Sequence, residues 1–120
     1  KISSVEDACK YKIGGYKGDA IAAFLEGKGC KIDYTIYDHL NARKLDAEKI
    51  DLWATGNMMG PYFVKQEGIT GLEQAFLIKE TSMSLAFNKS VSDDTIDKLN
   101  KILKDMETDG TTEKIFSRYR

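Results

Sequence analysis

With 120 residues the chain has room for one domain with a real core, and too few for two of ordinary size. It is 42% apolar and 31% charged with a single proline, which excludes a disordered or linker-rich polypeptide, and no apolar run approaches the length of a membrane span. A formal net charge of −1 with both signs interspersed lacks the clustered basic excess that a nucleic-acid backbone or an anionic membrane demands.

Ser4 to Lys10 reads as a short capped turn of helix leading into a first strand at about Tyr11 to Gly15. From Lys12 to Leu25 a short apolar run ends in Gly14, Gly15 and Gly18, and Asp19 then opens a stretch that is apolar on a helical period at Ile21, Phe24 and Leu25. This is strand, tight turn, helix. Such a turn offers free backbone N–H groups and the positive end of a helix dipole to an anionic group. The glycines do not form the dinucleotide fingerprint, and no phosphate loop is present. The helix runs from Asp19 to about Glu26, with Gly27 and Gly29 placed for a left-handed exit.

Cys30 to Tyr37 alternates, with Ile32, Tyr34 and Ile36 on one face, as in a strand with one buried side. Asp38 is placed to cap a short helix carrying Leu40 and Leu45. Ile50 to Ala54 is a compact third strand that runs into the turn Thr55, Gly56 and Asn57. Pro61 then suits a helix start and Gly68 its end. Strands alternating with helices predict an α/β fold, a mainly parallel sheet with helices on both faces.

From Gln74 the rhythm changes. Ala75 to Ile78 and Met83 to Phe87 are two strand-like runs. Ser92 caps a long helix whose Ile96, Leu99, Ile102, Leu103 and Met106 share one face, Asp93 and Asp94 suit its first turn, and Gly110 ends it. A last short helix shows Ile115, Phe116 and Tyr119. Cys9 and Cys30, each just before a predicted strand, fit either one disulfide or a reduced pair. Their spacing matches no zinc motif and His39 is the only histidine, so neither a metal nor a cofactor is expected.

In order and spacing, Tyr11 to Ala20, Lys49 to Asn57 with Gly60 to Tyr62, Ser84 to Lys89, and the closing run from Asp93 through Asp109 to Ile115 and Tyr119 resemble the second half of a type II periplasmic solute-binding protein. The family is the extracellular one that delivers amino acids and similar small polar solutes to ABC importers. The resemblance implies a non-enzymatic lobe over about residues 5–78. A hinge-recrossing strand and C-terminal helices would follow over about 79–120, and the first lobe would be absent. It further implies a periplasmic or membrane-associated extracellular location, an ABC permease as partner and, for want of the other lobe, a homodimer through the C-terminal segment.

By the same resemblance Gly18, Asp19 and Ala20 face a solute carboxylate and Asn57 faces its amine, with Tyr16, Lys17 and Tyr62 as secondary contacts. Asp19 stands where the family commonly has a hydroxyl residue, and Asn57 where it commonly has an aspartate. Both departures bear on which solute fits. Asp19 is equally a helix cap, Asn57 a turn residue, Lys17 a solvated lysine and Trp53 a core side chain. Two other readings stay open: a ligand-sensing module of a membrane signalling protein, and a small α/β enzyme holding a phosphorylated substrate at the Gly18 turn with Asp38, Asp46 or Asp51 as base.

Overall fold

A computed structural model describes residues 2–119 and divides the chain into two compact units, Lys1–Lys79 and Glu80–Arg120. The first unit is α/β. Its sheet has three parallel strands, β1 (Ile13–Tyr16), β2 (Ile32–Thr35) and β3 (Leu52–Trp53), in the order β2-β1-β3. Four helices among the described residues accompany the sheet, and side chains cap the first two. Ser4 accepts the Asp7 N–H ahead of α1 (Val5–Ala8), and Asp19 accepts the Ala22 N–H ahead of α2 (Ala20–Gly27). Between β2 and β3 lies α3 (His39–Asp46), and α4 (Met59–Gln66) follows β3. Pro61 falls in the first turn of α4, where proline is tolerated.

Two adjacent glycines in the central strand are explained by what presses on each side of it. Successive residues of a strand point to opposite faces. A Cβ on Gly15 would meet Ala22 Cβ of α2 at 2.9 Å and Ile32 Cγ2 at 3.0 Å, whereas one on Gly14 would run into Ile50 and lie 2.7 Å from Asn41 Oδ1 of α3. Helices α2 and α3 therefore cover the two faces at the same point of β1, and neither side has room for a side chain there. On the α2 face the core is Ala8, Ile13, Leu25, Cys30 and Ala54, with Phe76 and Ile78 packed against it. Full burial of Ile13 and Leu25 stabilises by about 1.5–3 kcal/mol each. A Cys9–Cys30 disulfide ties the end of α1 to the approach of β2 and closes the bottom of this core.

Several boundaries differ from those read in the sequence. Gly27 stays inside α2, and it is Gly29, at φ +91°, that makes the left-handed exit. Strand β2 stops at Thr35, which leaves Ile36 73% exposed and not on a buried face. Residues 75–78 and 83–87 form no strand: neither run has a ladder partner. The apolar side chains Phe76 and Ile78 contact the core without joining the sheet, because apolar patterning secures packing while a strand also needs a neighbour for its N–H and C=O groups.

The second unit contains α5 (Asp93–Thr108) and α6 (Thr111–Phe116). Ser92 accepts the Thr95 N–H and Asp93 and Asp94 occupy the first turn, as the sequence suggests. Gly110, at φ +82°, separates the two helices. Ile102 and Leu103 of α5 are about half exposed and Met83 is 98% exposed.

Candidate functional site

In a parallel sheet the ends of the strands are defined by chain direction, and loops leaving the carboxyl ends gather on one edge. Here the chain leaves β1 for β2 on one side and later returns to β3 on the other, so β1 and β3 bracket the point where the strand order reverses. Open α/β sheets bind ligands in the crevice outside the strand ends at such a point. Two turns border it: Lys17 and Gly18 after β1, and Ala54 to Met58 after β3. Ile13 pairs with Leu52 and Gly14 with Trp53, and the Ala54 N–H donates to the Gly14 carbonyl at 3.0 Å. Continued by two residues, that register sets Tyr16 level with Thr55.

The first turn is built around Gly18, at φ +89°, a backbone angle that favours glycine. The Lys17 N–H donates to the Thr35 carbonyl and the Asp19 N–H to the Tyr16 carbonyl, which leaves the Gly18, Ala20 and Ile21 amides without an acceptor among the described residues. Asp19 is a helix cap in this structure, with its Oδ2 3.0 Å from the Ala22 nitrogen. Tyr16 ends the strand half-buried. Burial raises its phenol above the usual pKa, and the Asp19 and Asp38 carboxylates add to the effect. Lys17 and Asn57 are exposed, and Tyr62, on α4, stacks at a tilt on Phe63 with ring centroids 5.6 Å apart.

Asp38 is not a side-chain cap for α3. Its backbone already has helical angles, φ −62° and ψ −37°, and its carboxylate turns toward the sheet edge instead of the helix amides. There Oδ1 accepts the Trp53 indole N–H at 2.7 Å and an Asn41 amide N–H at 3.3 Å, while Oδ2 accepts the Thr55 hydroxyl at 3.0 Å. Asp38 follows β2, yet Trp53 and Thr55 belong to β3 and its turn. The carboxylate therefore spans the end of β1, two strand spacings of about 4.8 Å each. Asn41, fully buried, uses its amide nitrogen for Asp38 and for Thr35 Oγ1, and its Oδ1 faces Gly14 with no hydrogen-bond donor among the described residues. Trp53 is half-buried and part of a ring cluster with Phe63 and His39.

Of the residues read from the sequence, Tyr16 ends β1, Gly18, Asp19 and Ala20 lie on the turn into α2, Asn57 lies on the turn after β3, and Tyr62 lies on α4. Thr55, Asn41 and Thr35 are not among the site residues read from the sequence, and Asp38 enters there only as a helix cap or as one of three carboxylates for the enzyme reading. For Asp38 the local pattern is an aspartate ahead of an apolar period, which is the signature of a cap. Of the three carboxylates considered as a base, only Asp38 reaches this edge: Asp51 accepts the Lys12 N–H at the opposite edge, and Asp46 lies at the far end of α3.

A shallow hollow of about 550 Å³ also lies at that opposite edge, lined by Lys10, Tyr11, Lys12, Lys31 and Asp33 among others. Lys12 and Lys44 both contact Asp33 there, and no strand-order reversal lies at that edge. The switch-point edge is the better candidate. Among the described residues no cluster of three or more His, Cys, Asp or Glu side chains could hold a metal ion, and no helix is long and apolar enough to cross a membrane. Comparison with protein-family models, characterised proteins and solved structures gives no match.

Proposed function

We propose that the first unit is a solute-binding lobe of the type II periplasmic kind, capturing a small polar solute for an ABC permease. The carrying observation is the pair of turns, Lys17 to Ala20 and Ala54 to Asn57, that flank the strand-order reversal with backbone amides open in the first of them. Gly18 and Ala20 would donate to a solute carboxylate, Asn57 would supply a neutral donor and acceptor, and Tyr16, Lys17 and Tyr62 would border the crevice. Asp19, bound to its own helix, acts there as a cap. The Cys9–Cys30 bridge favours an oxidising location, as the periplasm is. Closure over a solute would shift the open and closed populations that a membrane partner reads. The half-exposed Ile102 and Leu103 favour pairing of the second unit with another copy, which sedimentation across a concentration series tests.

An amide-resolved NMR titration of this chain with amino acids, dicarboxylates and phosphate esters tests the binding site. Shifts confined to Gly18, Asp19, Ala20 and Asn57 at millimolar solute support it. Absence of shifts there with every solute, in this chain and in one extended upstream, removes it.

A further inference from the structure

We infer that Asp38 supplies the anionic recognition this crevice has in place of a charge at Asn57, so that the solute it selects carries an organic ammonium group. The inference rests on the solute-binding reading above. Asp38 lies at the switch-point edge with its carboxylate held over the end of β1 by three neutral donors, Trp53, Thr55 and Asn41. A carboxylate has about four lone-pair sites, so one acceptor direction is left over. No ion pair joins Asp38 to a lysine, arginine or histidine among the described residues, although Asp7, Asp33, Glu67, Asp94 and Asp105 each contact a lysine or arginine.

The half-buried carboxylate receives hydrogen bonds from neutral donors alone, with no counter-cation beside it among the described residues. Its field reaches the crevice: it is one of the two carboxylates that raise the Tyr16 phenol. A cation arriving between the two turns would complete it. The three donors keep the carboxylate in place before the solute arrives, so little ordering is left to do on binding. The Trp53 ring, bonded to the carboxylate through its indole N–H and 6.5 Å by centroid from Phe63, offers an aromatic face to such a cation.

The test compares solutes that differ only in replacing an ammonium by a hydroxyl: L-phenylalanine against L-3-phenyllactate, and 4-aminobutyrate against 4-hydroxybutyrate, with glutarate as a carboxylate lacking either. The readout is the amide signals of Gly18, Ala20 and Asn57 and the Trp53 indole N–H of the chain itself. Charge-assisted hydrogen bonds are about twice as strong as neutral ones, so at least one amine is expected to bind about tenfold more tightly than its alcohol. Asp38→Asn should erase that ratio. The amine-to-alcohol ratio in the unaltered chain does not depend on how well the variant folds. Equal binding of amine and alcohol in both pairs, or shifts with glutarate and with neither amine, overturns the role of Asp38 while the solute-binding reading stands. If none of the five compounds moves any of these signals, the binding site and the inference fall together.

Discussion

The Trp53 indole N–H donates to Asp38 Oδ1 at 2.7 Å across the carboxyl end of β1, and so joins the segment after β2 to strand β3, which β2 never touches. With Thr55 and Asn41 on the same carboxylate, one side chain holds together the segments that follow β2 and β3 at the candidate site. Asp38→Ala would leave three donors without their acceptor in a half-buried setting. A loss of about 2–3 kcal/mol is expected, and Asp38→Asn, which keeps an amide oxygen, should lose less. Trp53 is the sole tryptophan, so urea unfolding followed by its fluorescence reads this site directly. Unchanged stability in Asp38→Ala would show that the network is not formed.

Adding the same methyl group at different glycines should have opposite effects. Gly15→Ala places Cβ against Ala22 and Ile32, and Gly14→Ala against Ile50 and Asn41, so each is expected to destabilise by about 1–3 kcal/mol through overpacking. Gly27→Ala meets nothing within 4 Å and sits in helical backbone, and it should stabilise by about 0.4–1 kcal/mol. Parallel urea titrations of the three variants decide this by sign alone.

Breaking the Cys9–Cys30 bridge releases a loop with a sequence separation of 21 residues. The chain-entropy relation gives a loss of about 3 kcal/mol for a loop of this size. Comparing the unfolding midpoint with and without a reductant, and in a Cys9→Ala, Cys30→Ala double variant, measures it. Coincident midpoints would show that the bridge adds nothing to stability.

Asp33 is held below the usual carboxylate pKa of 3.8 by its hydrogen bond to Lys44, whose ammonium lies 2.9 Å away, with Lys12 adding to the effect. A depressed pKa in the folded state means that the contribution is complete above the unfolded value and fades as pH falls through the folded one. Stability is therefore expected to decline as pH drops below about 4, and Asp33→Asn should show a shallower decline than the parent over the same range. A steeper acid limb in the variant would contradict the assignment.

Asp19 separates capping from solute contact. Asp19→Ala removes the acceptor for the Ala22 N–H and should cost about 1 kcal/mol, whereas Asp19→Ser retains a cap and should stay within a few tenths of the parent. On the proposed function Asp19→Ser also removes a negative charge next to the amides expected to hold a solute carboxylate. Tighter binding of carboxylate solutes in that variant is the expected result, read in the NMR titration by the Gly18 and Ala20 shifts.

What the sequence determined by itself is the local architecture: the order of strands and helices in the first unit, the caps at Ser4, Asp19 and Ser92, and the tight turn through Gly18. These depend on a residue and its near neighbours, and a short stretch of chain contains all the atoms involved. Tertiary structure decided the rest. Whether 75–78 becomes a strand depends on a ladder partner elsewhere, and apolar alternation does not specify one. Why Gly14 and Gly15 stand side by side is visible only when α2 and α3 close on opposite faces of β1. Asp38 is the sharpest case, because in sequence it precedes a helix exactly as a cap does, and only the β2-β1-β3 order brings Trp53 and Thr55 within reach of its carboxylate.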